Sequence, residues 1–173
     1  SMPLATISPM PSQADIGKAE RLLGYEKRLA QRAPARAPQL GSYQTAVRAK
    51  LTSALEVRCR AVHCHHDLLR ANRLYSGGRL FALDWEYSAM GNPWYDLAVV
   101  VAGDSLSAQD ADLLLETYLG RPAEAAERRL VTDFGCVYRY LELMWYLVQD
   151  HPALDDELLR QKLECLGEQL ASP

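Results

Sequence analysis

The sequence lacks any Cys-x-x-Cys pair: Cys59, Cys64, Cys136 and Cys165 are scattered through apolar or helical contexts, where a reduced thiol behaves as a small hydrophobe. A disulfide scaffold is disfavoured, and a reducing cytoplasm is the expected setting. No apolar run approaches the ~20 residues a membrane span requires, and the N-terminus has no basic region followed by an apolar stretch. Neither spanning nor secretion is expected. Charge of one sign is scarce too: 19 Lys and Arg against 22 Asp and Glu leave a formal charge of −3, too small to draw the chain to nucleic acid or membrane. Internal repeats and low-complexity tracts are missing. What remains is an ordinary globular composition, 49% apolar and 24% charged, and 173 residues suit one well-buried domain.

Residues 1–13, with Pro3, Pro9 and Pro11, read as an extended lead-in. Ser12 and Asp15 supply the capping box of a first helix running to about Gln31, which Pro34 and Pro38 end. Val47, Leu51, Ala54 and Leu55 return at three- and four-residue intervals and predict a second helix over Tyr43–Arg58. Ala61–Cys64 reads as a short strand, followed by a polar stretch from His65 to Asn72. Arg73–Tyr75 and Arg79–Leu83 flank Ser76-Gly77-Gly78, a hairpin signal whose second strand ends on Asp84. From Asn92 the pattern is helical: Asn92 as N-cap with Pro93 at N1, a long helix opened by Pro122, and a last helix after His151-Pro152 through about Leu170. The expected fold is mostly α with a small β-hairpin, an α+β arrangement over residues 14–173.

The chemistry-bearing residues are concentrated in this middle part. His65-x-Asp67 is followed after four residues by Asn72, and Asp84 stands at the end of the next hairpin. Phosphoryl transfer to a hydroxyl needs a carboxylate to orient the hydroxyl and accept its proton, and ligands for the Mg²⁺ that neutralises the phosphates. Asp67, Asn72 and Asp84 are residue types able to supply them. His63-Cys64-His65-His66 also contains zinc-ligand types, but adjacent residues of an extended chain point to alternating sides, which disfavours chelation.

These motifs resemble those of the aminoglycoside phosphotransferase and choline kinase superfamily, which shares the protein-kinase fold. His65-x-Asp67-x-x-x-x-Asn72 is similar to its catalytic loop, and Leu83-Asp84-Trp85-Glu86-Tyr87 to its metal motif in the choline/ethanolamine/thiamine form. The resemblance implies a C-terminal lobe in which Asp67 is the catalytic base, His65 a catalytic-loop residue, and Asn72 and Asp84 ligands for Mg²⁺. Glu86 would be a second acidic group near the metal or substrate. Gly91-Asn92-Pro93-Trp94-Tyr95-Asp96 is similar to the family's next segment, whose Asp braces the catalytic loop, so Asp96 is expected to be structural. ATP would be co-substrate. No glycine-rich loop of the family's N-terminal lobe is found, since Gly77-Gly78 follows the catalytic loop. The ATP-binding lobe is therefore expected to lie outside this chain, and Ser1 ahead of Met2 reads as a cloning remnant on a piece of a longer parent.

A cationic acceptor needs aromatic faces. In the predicted long helix Leu130, Phe134, Val137, Leu141, Met144 and Val148 form a core stripe, and Tyr138, Glu142, Trp145 and Gln149 lie beside it. The resemblance adds that this late helix and the Tyr after the metal motif help build the cage. Tyr87 and Trp145 are the substrate-binding candidates, followed by Tyr138, Glu142 and Trp94. The expected activity is ATP-dependent phosphorylation of a small cationic alcohol such as choline, ethanolamine or thiamine. An aminoglycoside or other small-molecule phosphotransferase and a non-catalytic kinase-like binding module stay open as alternatives. Self-association through the surface left by a missing lobe is a further expectation.

Overall fold

The computed structural model describes residues 13–57, 59–151 and 154–171. The lead-in prolines, Ser12 of the expected capping box, Arg58 and Pro152 lie outside them. The elements are α1 Gln13–Arg32, α2 Ala37–Glu56, β1 Val62–Cys64, β2 Arg73–Ser76, β3 Arg79–Ala82, β4 Ala89–Gly91, α3 Pro93–Gly103, α4 Ala108–Leu119, α5 Ala125–Val148 and α6 Asp156–Ala171. Single 3₁₀ turns cover Arg70–Asn72 and Trp85–Tyr87. Among the described residues no helix is long and apolar enough to cross a membrane.

The core is built around α5. All six residues of its expected core stripe are buried, and α1, α2, α3 and α6 pack against it. Leu22 and Leu29 of α1, Val47 and Leu51 of α2, Tyr95 and Val99 of α3, and Leu166 of α6 join the same cluster. Each large aliphatic or aromatic side chain removed from water in this way contributes about 1.5–3 kcal/mol, before the entropy of ordering the chain is subtracted. One charge lies inside this packing. Asp133 of α5 is 2% exposed, and Lys50 of α2 reaches it at 3.0 Å, with Arg129 farther away at 3.8 Å.

Helix boundaries follow local chemistry. Asn92 caps α3 by accepting from the Trp94 amide at 3.0 Å, with Pro93 in the first turn. Glu124 and Glu127 form a reciprocal capping box at the start of α5, slightly later than Pro122 suggested. Pro38 does not end a helix but sits in the first turn of α2, where its missing N–H costs no hydrogen bond. That is why α2 begins six residues before the expected Tyr43.

Two small antiparallel ladders position the middle of the chain. β2 pairs with β3 from Arg73↔Ala82 to Ser76↔Arg79, and Gly77 and Gly78 make the two-residue turn with φ of 56° and 75°. Both central residues at positive φ match a type I′ hairpin turn. β4, not anticipated from the sequence, pairs with β1 from Val62↔Gly91 to Cys64↔Ala89. The intervening residues 65–88 are thereby closed into a loop anchored at its base.

Candidate active site

The catalytic-loop motif begins where β1 ends, and one carboxylate holds its first turn. Asp96, in the first turn of α3, accepts the His65 amide at 2.6 Å and the His66 amide at 2.8 Å. His66 has φ of 64°, an uncommon left-handed conformation for a side chain of its size, and the paired amide bonds hold it there. His65 is buried, and its ring spans two segments. Its Nε2 lies 2.7 Å from the Leu83 carbonyl, and its Nδ1 lies 3.3 Å from the Asp67 amide. A tautomer with the proton on Nε2 satisfies both contacts, since the carbonyl can only accept and the amide only donate.

Asp67 and Asn72 form the next layer. Asn72 Nδ2 donates to the Asp67 carbonyl and to Asp67 Oδ2, both at 2.9 Å. The Asp67 carboxylate is thus oriented by an amide one 3₁₀ turn away. Leu83 N donates to the Asn72 carbonyl at 2.8 Å, so residue 83 is bound to both ends of the loop. Trp85 lies across the other side, its ring 5.6 Å from that of His63 and 4.7 Å from that of His65. Asp84 lies between Leu83 and Trp85, both of which contact the catalytic loop. β3 stops at Ala82, two residues earlier than expected, and Asp84 turns out of the strand direction with φ of 59°. Asp tolerates this conformation better than most residues.

A cavity of about 400 Å³ opens beside Asp67. Among the described residues its walls carry three carboxylates, Asp67, Glu86 and Glu142, and no Lys or Arg. Six aromatic side chains line it: Tyr25, Tyr87, Tyr95, Tyr138, Trp145 and Tyr146. Four expected substrate-binding residues, Tyr87, Trp145, Tyr138 and Glu142, therefore share one cavity with Asp67. Trp94 does not. It is buried, with its ring 6.3 Å from Tyr118 of α4, because the N-cap at Asn92 turns the first residues of α3 into the core. Tyr25, Tyr95 and Tyr146 were missed. Tyr146 adjoins Trp145 and could have been found on the same helix; Tyr25 sits on α1, forty residues before the motif, and carries no local signal.

Burial and the neighbouring Glu142 push the Tyr138 hydroxyl well above its ordinary pKa, so it remains a donor. It donates to Glu142 Oε1 at 3.1 Å, and Lys162 of α6 donates to Oε2 at 2.7 Å.

The residues also bear on a divalent cation. Among the described residues no three or more His, Cys, Asp or Glu side chains form a metal cage. Mg²⁺ does not need one, since it uses one or two protein oxygens together with phosphate and water. Asn72 commits its amide nitrogen to Asp67, which leaves Oδ1 as the oxygen able to accept a cation. Asp84 is exposed, one residue after Leu83, whose amide donates to the Asn72 carbonyl. The donor set fits magnesium; Glu86 lies instead on the cavity wall.

Comparison with known proteins agrees with this geometry. Protein LicA of Haemophilus influenzae is 34% identical over 91 residues, covering 49% of this chain and 33% of that protein. A choline/ethanolamine kinase family protein from Mesorhizobium loti superposes with a TM-score of 0.73 at 26% identity, over 90% of this chain and 55% of the other. The choline kinase LicA from Streptococcus pneumoniae gives 0.71 at 22% identity, again over 90% and 55%, a likeness of fold. The chain thus spans about half or less of the length of these relatives. Its mostly helical architecture is that of the choline-kinase-like, protein-kinase-like fold. A model of the phosphotransferase enzyme family matches residues 4–130, well over half of the sequence, and the chain belongs to that family.

Proposed function

We propose that the protein containing this chain transfers the γ-phosphoryl group of ATP to the hydroxyl of a small cationic alcohol, with choline and ethanolamine the leading acceptors. The observation that carries this reading is the cavity in which the Asn72-held Asp67 carboxylate faces six aromatic rings and two further carboxylates. A cation with a short hydroxyl arm matches it: ring faces and negative charge receive the cationic head, while the hydroxyl reaches Asp67. Asp67 orients that hydroxyl and takes its proton as the P–O bond forms. Asn72 fixes the carboxylate, His65 and Asp96 fix the loop, and Tyr87 and Trp145 hold the head group. Asn72 and Asp84 would hold Mg²⁺, which when bound offsets the negative charge of the phosphates. An aminoglycoside, with several ammonium groups on a larger frame, suits a broad acidic trough better than this ring-lined cavity.

The test is ATP-dependent phosphorylation of choline, ethanolamine and a neutral alcohol of similar size by the intact protein. Transfer to the cationic alcohols, abolished by Asp67→Asn, is expected. Equal transfer to the neutral alcohol, or full activity in Asp67→Asn, would contradict the reading.

A further inference from the structure

Glu142 and Tyr138 line the cavity beside Asp67, and a group from outside it also donates to Glu142. Lys162 belongs to α6 and faces a neighbouring cleft of about 190 Å³ bordered by Ser105 and Arg139. From there its ammonium reaches Glu142 Oε2 at 2.7 Å while the Tyr138 hydroxyl holds Oε1 at 3.1 Å. The same ammonium lies 5.6 Å from the centroid of Tyr146, another wall of the cavity. Lys162 and Glu142 side chains are 26% and 24% exposed, so solvent and salt screen their pairing less than that of a surface pair.

We propose that Lys162 is a positioning residue that sets which cations the cavity accepts: with Tyr138, it occupies Glu142 as a hydrogen-bond acceptor and so favours a quaternary ammonium over a primary one. This inference rests on reading the cavity as an acceptor site. A primary ammonium has three N–H donors, each of which needs an acceptor once desolvated. A quaternary ammonium has none, and ring faces with nearby negative charge are enough. With one donor already on each Glu142 oxygen, about half of that carboxylate's lone-pair sites are taken and its charge is partly offset by the Lys162 ammonium, so it receives a primary ammonium's N–H less well.

The experiment is calorimetric titration of the intact protein with choline and with ethanolamine, without nucleotide, in wild type, Lys162→Met, Lys162→Arg and Tyr138→Phe. A charged hydrogen bond gained by ethanolamine shifts affinity by about tenfold or more. The choline-over-ethanolamine affinity ratio is therefore expected to fall about tenfold in Lys162→Met and in the same direction in Tyr138→Phe. It should stay at the wild-type value in Lys162→Arg, whose guanidinium can still occupy Glu142. Because both ligands are compared on one preparation, the ratio does not depend on how much of a variant is folded. Adding Glu142→Ala to Lys162→Met should remove the gain. An unchanged ratio in both Lys162→Met and Tyr138→Phe, or a protein that binds neither cation, overturns the inference. Absence of phosphoryl transfer to either alcohol would contradict the proposed function while leaving the binding ratio to decide the role of Lys162.

Discussion

At the scale of single residues, the two motif carboxylates sit in different surroundings. Asp67 is held by Asn72 at the cavity wall, whereas Asp84 stands exposed between Leu83 and Trp85, outside the cavity. In the intact protein Asp67→Asn is expected to lower turnover by about 10²–10⁴ while leaving nucleotide affinity nearly unchanged. Asp84→Ala should instead weaken binding of Mg²⁺–nucleotide; the same pattern of losses in both would show the division of roles to be wrong. Tyr87→Leu and Trp145→Leu keep apolar bulk and remove the ring quadrupole. A desolvated cation–π contact is worth about 2 kcal/mol, so either change should raise the Michaelis constant for choline roughly thirtyfold, and much less for a neutral alcohol. Equal losses for both acceptors would mean that the rings only pack. The residues legible in the sequence here were those within a motif or on one helical stripe. Tyr25 was hidden because the fold, not the spacing, brings it to the cavity, and Tyr95 stood in a quoted motif where its neighbour Trp94 was chosen instead.

At the scale of elements, α5 is both the centre of the core and a wall of the site, so its anchoring affects both. Its apolar stripe was readable from the three-four repeat, but the partner of Asp133 was not, since Lys50 lies on a different helix. Asp133→Ala removes the buried carboxylate that Lys50 pairs with and should destabilise the protein by about 3 kcal/mol in urea unfolding. Lys50→Met with Asp133→Leu should recover most of that loss; no recovery would show that the pair does more than neutralise itself. The helix start carries a pH signature. The Arg121 guanidinium and the Glu124 amide hold the Glu127 carboxyl down from 4.5 to about 2. A depressed carboxylate contributes its full stability above pH 4.5 and loses it as pH falls toward 2. Glu127→Gln should therefore flatten the acid limb of the stability curve between about pH 4.5 and 2, measured by chemical unfolding; an unaltered limb would show that the capping box does not couple to folding. β1 was read as the strand Ala61–Cys64, but its partner β4 was not, because a three-residue strand carries almost no periodicity. The β2–β3 hairpin was legible because Gly-Gly can accept the positive φ its turn demands.

At the scale of the whole molecule, the helical side is closed and the hairpin side is open. Leu74 pairs with Phe81 on one face of the hairpin and Tyr75 with Leu80 on the other, and all four are exposed, Tyr75 at 73% and Leu80 at 67%. Apolar side chains on both faces of a two-stranded ribbon favour association. The 173-residue chain is expected to self-associate with rising concentration in sedimentation, and Leu80→Lys with Tyr75→Glu should return it toward monomer. A strictly monomeric wild type at high concentration would count against this. The architecture was readable from the order of caps, prolines and apolar stripes; what covers the hairpin was not, because exposed apolar surface does not name its partner. The cavity beside Asp67 joins these scales, and a crystal structure of the intact protein with choline bound tests its assignment directly. The quaternary ammonium should lie among Tyr87, Trp145 and the neighbouring rings, with the choline hydroxyl about 2.6–3.2 Å from an Asp67 carboxylate oxygen. Choline bound elsewhere, or bound in this cavity with its hydroxyl turned away from Asp67, would contradict the assignment.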